Sequence, residues 1–120
     1  MTKKHTVTFL STAKTYTAYS TSYVKGVVLS VAYAKGSPAI SSTATLEITS
    51  KDSSGRILGS RTVGSAAFEL APRLAVVNST NAAIANTAAL IPVADELIAV
   101  KVSASSATGQ AGTFYIYEQL

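Results

Sequence analysis

Apolar and polar residues alternate along this chain in short runs, which is the two-residue period of a β-strand. The longest apolar run, residues 27–33, lies between Lys25-Gly26 and Gly36-Ser37-Pro38. With period two, one of its faces carries Val27, Leu29, Val31 and Tyr33, and the other carries Val28, Ser30, Ala32 and Ala34. A strand with one wet face normally shows clearly polar residues on that face. The run therefore predicts a central strand whose second face is at least partly covered.

Other segments show the same period more cleanly. Residues 43–50 have the pattern of a half-buried strand, with Ala44, Leu46 and Ile48 inward. A Gly-containing turn follows, and residues 56–63 then predict the return strand. The remaining predicted strands and apolar patches lie at 5–10, 15–20, 66–70, 73–77, 90–93, 97–104 and 113–117. The first two of these have a spacing that suits a β-hairpin.

Two segments are irregular. Residues 78–90 predict a long loop with a short helical turn, because Asn and Thr interrupt its alanines. Residues 1–6 predict a flexible N-terminal arm. Together, about eight short strands and one long loop predict a single all-β domain over residues 1–120, an antiparallel β-sandwich of jelly-roll type. The immunoglobulin pattern is excluded because the chain contains neither Cys nor Trp.

The charges narrow the class of partner. The formal charge of +4 comes from ten Lys and Arg against six Asp and Glu, and the basic residues are dispersed. Nucleic-acid-binding proteins cluster such charges, so no nucleic-acid partner is expected. No apolar run reaches the length of a membrane span, and no apolar segment follows the basic start as in a signal peptide. We therefore expect no membrane partner and synthesis in the cytoplasm of the producing cell.

Residues that could carry catalysis are few. His5 is the single histidine, and its place near the start of the chain predicts a surface or strand-edge residue rather than part of a Ser-His-acid triad or zinc site. Asp95 and Glu96 are adjacent and point to opposite faces of an extended chain. The sequence therefore predicts no catalytic residue, no cofactor and no metal. Tyr115 and Tyr117 share one face of the last strand and are expected to be interface residues.

A series of short motifs follows in a defined order along most of the chain. They are Tyr33-Ala34-Lys35-Gly36, Thr43-Ala44-Thr45-Leu46-Glu47-Ile48-Thr49, Arg56-Ile57-Leu58, Pro72-Arg73-Leu74-Ala75-Val76, Leu90-Ile91-Pro92-Val93, Val100-Lys101-Val102 and Gly112-Thr113-Phe114-Tyr115-Ile116-Tyr117. In this order they resemble small structural proteins of tailed bacteriophages, those that decorate or cement the head shell. The resemblance covers residues 23–117 and does not extend to the first twenty residues.

The resemblance implies a non-enzymatic role on the virion. The protein would be made in the host cytoplasm, lie on the outer capsid surface, bridge subunits of the major capsid protein and form a small homo-oligomer. We nominate three groups of partner-contact residues, in the arm, the long loop and the last strand: Lys3, Lys4 and His5; Asn78, Asn81, Ile84 and Asn86; Tyr115 and Tyr117.

Two alternatives share the predicted fold. One is a different virion part, such as a head–tail connector, a tail subunit or a fibre subunit. The other is a carbohydrate-binding β-sandwich module, although such sites usually stack a sugar on an exposed aromatic ring and this chain has no Trp.

Overall fold

The structure is a computed structural model of the chain and describes residues 2–50, 57–77, 83–93, 96–103, 105 and 108–119. These residues form ten β-strands. In chain order the strands are β1 (Thr2–Leu10), β2 (Tyr16–Tyr19), β3 (Val27–Lys35), β4 (Thr45–Ser50), β5 (Ile57–Thr62), β6 (Phe68–Leu70), β7 (Arg73–Val77), β8 (Ala83–Pro92), β9 (Ile98–Ser103) and β10 (Ala111–Gln119). The all-β prediction is confirmed.

The strands pair into two antiparallel sheets. Sheet A has the order β1-β10-β3-β8-β7, with β6 also paired to β3, and sheet B has the order β2-β9-β4-β5. The first strand thus pairs with the last, the second with the ninth, and the third with the eighth. This folded-over pairing is the strand order of a jelly roll. The strands β1–β5 and β8–β10 occupy its eight positions, and β6 and β7 are additions to sheet A.

The strand β3 lies inside sheet A, as the sequence predicts. It pairs with β10 along one side and with β6 and β8 along the other. Val31 and Tyr33 are buried, but Val28 is buried instead of Val27 and Leu29, which strict alternation places on the same face as Val31 and Tyr33. The register explains the difference, because Ser30 lies opposite Tyr117 and Val28 opposite Glu118, so that Leu29 is passed over. Such a bulge reverses the alternation at this point.

The core forms between the sheets where the alternating residues predict it. Leu46, Ile48, Ile98 and Val100 are fully buried on sheet B. On sheet A an aromatic row crosses four strands, and its neighbouring ring centroids lie 6.4 Å apart for Phe9–Phe114, 4.9 Å for Phe114–Tyr33 and 5.1 Å for Tyr33–Phe68. Gly112 gives the row space, since a Cβ there would lie 2.7 Å from Cε1 of Tyr33.

Three local predictions are wrong. β1 and β2 do not pair as a hairpin, because they belong to different sheets. The N-terminal segment is not a flexible arm from residue 2 onward, because Thr2 already lies in β1 opposite Gln119. The predicted loop over residues 78–90 is a strand from residue 83 onward, because β8 pairs with β7 at Ala83 and at residues 88–90 and with β3 at residues 91–92; residues 78–82 lie outside the described residues. Pairing with neighbouring strands here prevails over the weak β-propensity of an Ala- and Asn-containing segment.

Candidate functional site

The tyrosines nominated for partner contact lie on the outer face of sheet A. In the β1–β10–β3 register, Tyr117 lies between Lys4 and Ser30, and Tyr115 lies between Thr6 and Ala32. Directly opposed residues of an antiparallel pair point to the same face. We call this surface the tyrosine face and define it by Tyr115, Tyr117, Thr113, Ser30, Ala32 and Ala34. Its members are half-buried, while Phe114 and Ile116 point into the core.

Charges stand at the margins of the tyrosine face. Lys4, an exposed residue of the outermost strand, places its Nζ 5.0 Å from the ring centre of Tyr115. This is the distance of a cation–π contact. Glu69 of β6 is exposed and lies opposite Ala32 on the other side. Between them the surface consists of hydroxyl, methyl and phenol groups, a composition with aromatic enrichment and charge depletion that is typical of the centre of protein–protein interfaces.

The other nominated residues have different places. Lys3 is exposed and lies beside Lys4 on β1. Asn78 and Asn81 lie outside the described residues. Ile84 and Asn86 belong to β8, and the structure describes their backbone and not their side chains. The structure thus brings Lys4, Tyr115 and Tyr117 together.

His5 is the residue that the sequence prediction places wrongly. It is 1% exposed rather than on the surface, because residue 5 is in phase with Val7 and Phe9 on the core side of β1. Its Nε2 lies 2.5 Å from Oε1 of Glu118, which is itself fully buried. Its Nδ1 lies 2.6 Å from the hydroxyl of half-buried Ser22. A second carboxylate oxygen, Oε2 of Glu118, accepts hydrogen bonds from the backbone N–H groups of Lys25 (2.8 Å) and Gly26 (2.6 Å).

This arrangement, which we call the clasp (His5, Ser22, Glu118 and the two backbone N–H groups), keeps Glu118 ionised. Burial by itself would raise the pKa of Glu118, but the hydrogen bonds from Gly26, His5 and Lys25, together with the charge of His5, lower it below the ordinary value on balance. Gly26 is required for the approach, since a Cβ at this position would lie 2.1 Å from the carbonyl oxygen of Gln119. The clasp therefore joins the first and last strands to the β2–β3 connection.

In the clasp the hydroxyl of Ser22 contacts the imidazole of His5, which in turn contacts the carboxylate of Glu118, and the same three groups meet in this order in a Ser-His-acid triad. The ring nitrogens are exchanged, however: in the serine-protease triad the serine faces Nε2 and the acid faces Nδ1, whereas Ser22 here faces Nδ1. The imidazole ring is enclosed between strands rather than open to solvent. The geometry suits a set of hydrogen bonds that holds the strands together, and the reactivity of Ser22 can be tested directly.

A second buried polar cluster closes the opposite end of the β1–β10 pair. The side-chain oxygen of Gln110 accepts hydrogen bonds from the backbone N–H of Ser41 (2.9 Å) and the hydroxyl of Ser105 (2.5 Å). Its amide nitrogen donates to the hydroxyl of Ser41 (2.8 Å), and its backbone N–H donates to Ser11 (3.0 Å). Every side-chain polar atom of Gln110 thus has a partner, which indicates a purely structural role.

The described residues contain no group of three or more His, Asp or Glu side chains suited to hold a metal ion. Within the same ranges, no helix has the length and apolarity to cross a membrane.

Comparisons with known proteins add no relative. No protein-family model, no curated protein sequence and no solved structure matches the chain.

Proposed function

We propose that this protein is a non-enzymatic virion component that decorates the outer capsid surface of a tailed bacteriophage and bridges subunits of the major capsid protein. The motif order supports the family, and the jelly-roll strand order is one that viral capsid domains use. Proteins of one fold have many different functions, so the proposal also depends on the residues at the surface.

The observation that carries the proposal is the tyrosine face. Two tyrosines and a row of small residues occupy two adjacent strands, β10 and β3, which pair with each other in a long antiparallel register, and β10 pairs in the same way with β1. Small side chains lose little conformational entropy on burial, and tyrosines supply large contact area with few rotatable bonds. A rigid sheet with such a face suits close packing on another protein, and we assign capsid contact to it.

Removing both rings is expected to weaken capsid binding strongly. Central interface aromatics each contribute about 2 kcal/mol, which is ~30-fold for one ring, so Tyr115→Ala/Tyr117→Ala should raise the dissociation constant for capsids roughly 1,000-fold. Binding of the purified variant to capsids that lack the protein would be measured by titration and sedimentation. Tyr19→Ala is the matched control, because Tyr19 is a 45% exposed tyrosine on β2 in sheet B. Equal affinity of the double variant and the wild type would remove the tyrosine face from the proposal.

A position elsewhere on the virion is the main alternative, since a head–tail connector or tail subunit also needs a rigid binding face. Imaging of intact particles that carry a labelled copy of the protein separates the two. Signal over the head supports decoration, and signal confined to the tail contradicts it.

A carbohydrate-binding module is the second alternative, because Tyr115 and Tyr117 share one face and β-sandwiches include lectins. A glycan array decides it. Binding to a defined sugar that is lost in Tyr115→Ala/Tyr117→Ala would replace the capsid assignment, whereas an array without hits ends the carbohydrate alternative.

The non-enzymatic part of the proposal predicts that Ser22 is unreactive. A fluorophosphonate probe forms a covalent bond with the serine of a working triad, because the histidine accepts the hydroxyl proton as the oxygen attacks phosphorus. We expect no labelling of the native protein, measured by intact mass, since His5 is enclosed and faces Ser22 through Nδ1. Stoichiometric labelling that Ser22→Ala abolishes would show that the site is catalytic.

A further inference from the structure

The β2–β3 connection, residues 20–26, has backbone hydrogen bonds to both sheets and, on the sheet A side, the additional side-chain bonds of the clasp. On the sheet B side the bonds are mainly between backbone groups: Ser20 N–H donates to Ile98 (2.9 Å), and Val24 and Glu96 exchange two hydrogen bonds of 2.9 and 3.1 Å. On the sheet A side there are two backbone bonds, from the N–H of Thr21 to Thr6 (3.3 Å) and from the N–H of Val93, directly after β8, to Gly26 (2.9 Å). The shorter bonds on this side belong to the clasp and run to His5 and Glu118. Only the clasp bonds depend on an ionised side chain.

We propose that Glu118 is the proton-sensitive part of the clasp, and that acid releases the N–H groups of Lys25 and Gly26 from Glu118 while the backbone bonds of the connection to sheet B stay in place. The inference goes beyond the proposed function and does not depend on it. It assigns to the clasp a local opening that precedes unfolding of the sandwich.

The geometry explains why protonation of the Glu118 carboxylate, rather than of the His5 imidazole, opens the clasp. Neutral His5 with its hydrogen on Nε2 donates to Glu118 and accepts from Ser22, whereas protonated His5 donates to both. Either form of the imidazole therefore keeps the clasp closed. A protonated Glu118 loses its charge, and with it the strength of the bonds from His5, Lys25 and Gly26.

The other charged groups around the clasp do not account for the proposed opening in acid. His5 on β1 is the titratable side chain in direct contact with Glu118 among the described residues. Lys3 lies opposite Glu118 in the register of β1 with β10 and is exposed. Lys25 is also exposed and contacts Glu118 through its backbone N–H. Glu96 reaches the connection through its two backbone bonds to Val24.

The direction of the pH effect follows from the lowered pKa of Glu118 in the closed form. Because the open form regains an ordinary carboxyl, it binds a proton more readily than the closed form does, and acid favours opening. The contribution of ionised Glu118 to closing the clasp is thus complete above the ordinary carboxyl value of 4.5. Below it, opening increases by up to about tenfold per pH unit until the pKa of the closed form is reached.

Amide hydrogen exchange of the full chain, measured by NMR between pH 7 and pH 3 and corrected for intrinsic rates, tests this inference. Protection of the Lys25 and Gly26 amides should fall with decreasing pH below about 4.5, by up to about tenfold per unit. The Ser20 and Val24 amides, in the same connection but bonded to sheet B, are the internal control and should change less than about twofold over the same range. A parallel fall at all four amides, or unchanged protection at Lys25 and Gly26, would overturn the proposal.

Two variants sharpen the test. Glu118→Gln removes the charge and should give, at pH 7, the low protection of Lys25 and Gly26 that the wild type reaches only in acid. Ser22→Ala removes one contact of His5 and leaves the carboxylate in place, so it should leave the acid response of these amides unchanged. Loss of the response in Ser22→Ala would contradict the role of Glu118. If Glu118→Gln does not fold, the wild-type titration decides alone.

Discussion

Val31→Asp is expected to abolish folding. Val31 is fully buried on β3, where it faces the core and lies between Ile116 of β10 and Leu70 of β6 in the register. An aspartate there would be an unpaired carboxylate without water, and would also leave part of the valine volume empty. The expected loss exceeds about 4 kcal/mol, which is a large part of the stability of a domain of this size. Far-UV circular dichroism and urea unfolding of the purified variant would measure it.

Ser30→Asp is the matched control for this prediction. Ser30 is the neighbouring residue on the same strand, but its side chain lies on the tyrosine face, in the same row as Tyr117 and Lys4. The same carboxylate placed there remains near water, so the free energy of unfolding should change by less than about 1 kcal/mol. If the two variants were equally stable, β3 would not have the two faces assigned to it.

Glu118→Ala has the second largest expected effect. The change leaves buried His5 without its acceptor, and it removes the acceptor of the part-buried N–H groups of Lys25 and Gly26. Removal of one partner of a buried pair typically costs about 3–5 kcal/mol. Urea unfolding at pH 7 should show this loss in the free energy of unfolding.

The pH dependence of the same variant gives a further check. The pKa of Glu118 is lowered in the folded protein, so its contribution is complete above the ordinary value of 4.5 and is lost as the pH falls through the folded pKa. The difference between wild type and Glu118→Ala should therefore shrink in acid. A difference that is constant from pH 7 to pH 3 would show that the ionised carboxylate does not stabilise the fold.

The alternation of side chains was sufficient to predict most of the strands. Residues such as Leu46, Ile48, Val100 and Phe114 lie in runs whose period matches the pleat, so their burial follows from the sequence. Jelly-roll pairing could be favoured from strand number and turn spacing. Residues 73–77 were predicted as a strand, and β7 has those bounds. The place of β6 beside β3 could not be predicted, because β6 is three residues long and its partner strand is far away along the chain.

Local patterns failed where distant residues decide the conformation. The bulge at Leu29 reverses the facing of the first part of β3, and it is visible only in the register with β10. The segment of β8 has a loop-like composition and becomes a strand by pairing with β7 and β3.

The clasp was missed for the same reason. His5 and Glu118 are separated by 113 positions, and nothing near either residue marks them as partners. One signal was available. His5 is in phase with Val7 and Phe9, and Glu118 with Phe114 and Ile116, so each continues the buried face of its strand. A basic and an acidic residue that both continue buried faces would have predicted a paired, enclosed site.

The tyrosine face could be predicted in part. The shared face of Tyr115 and Tyr117 follows from period two, whereas their neighbours Ser30 and Ala32 required the register of β10 with β3. Those small residues carry no charge, and they complete the surface on which the proposed role of the tyrosines depends.

The central claim, that the protein binds the capsid, is tested most directly by co-sedimentation of the purified protein with capsids that lack it. We predict saturable binding that reaches a fixed ratio to the major capsid protein. Wild-type protein that remains entirely in the supernatant at all concentrations would contradict the capsid assignment.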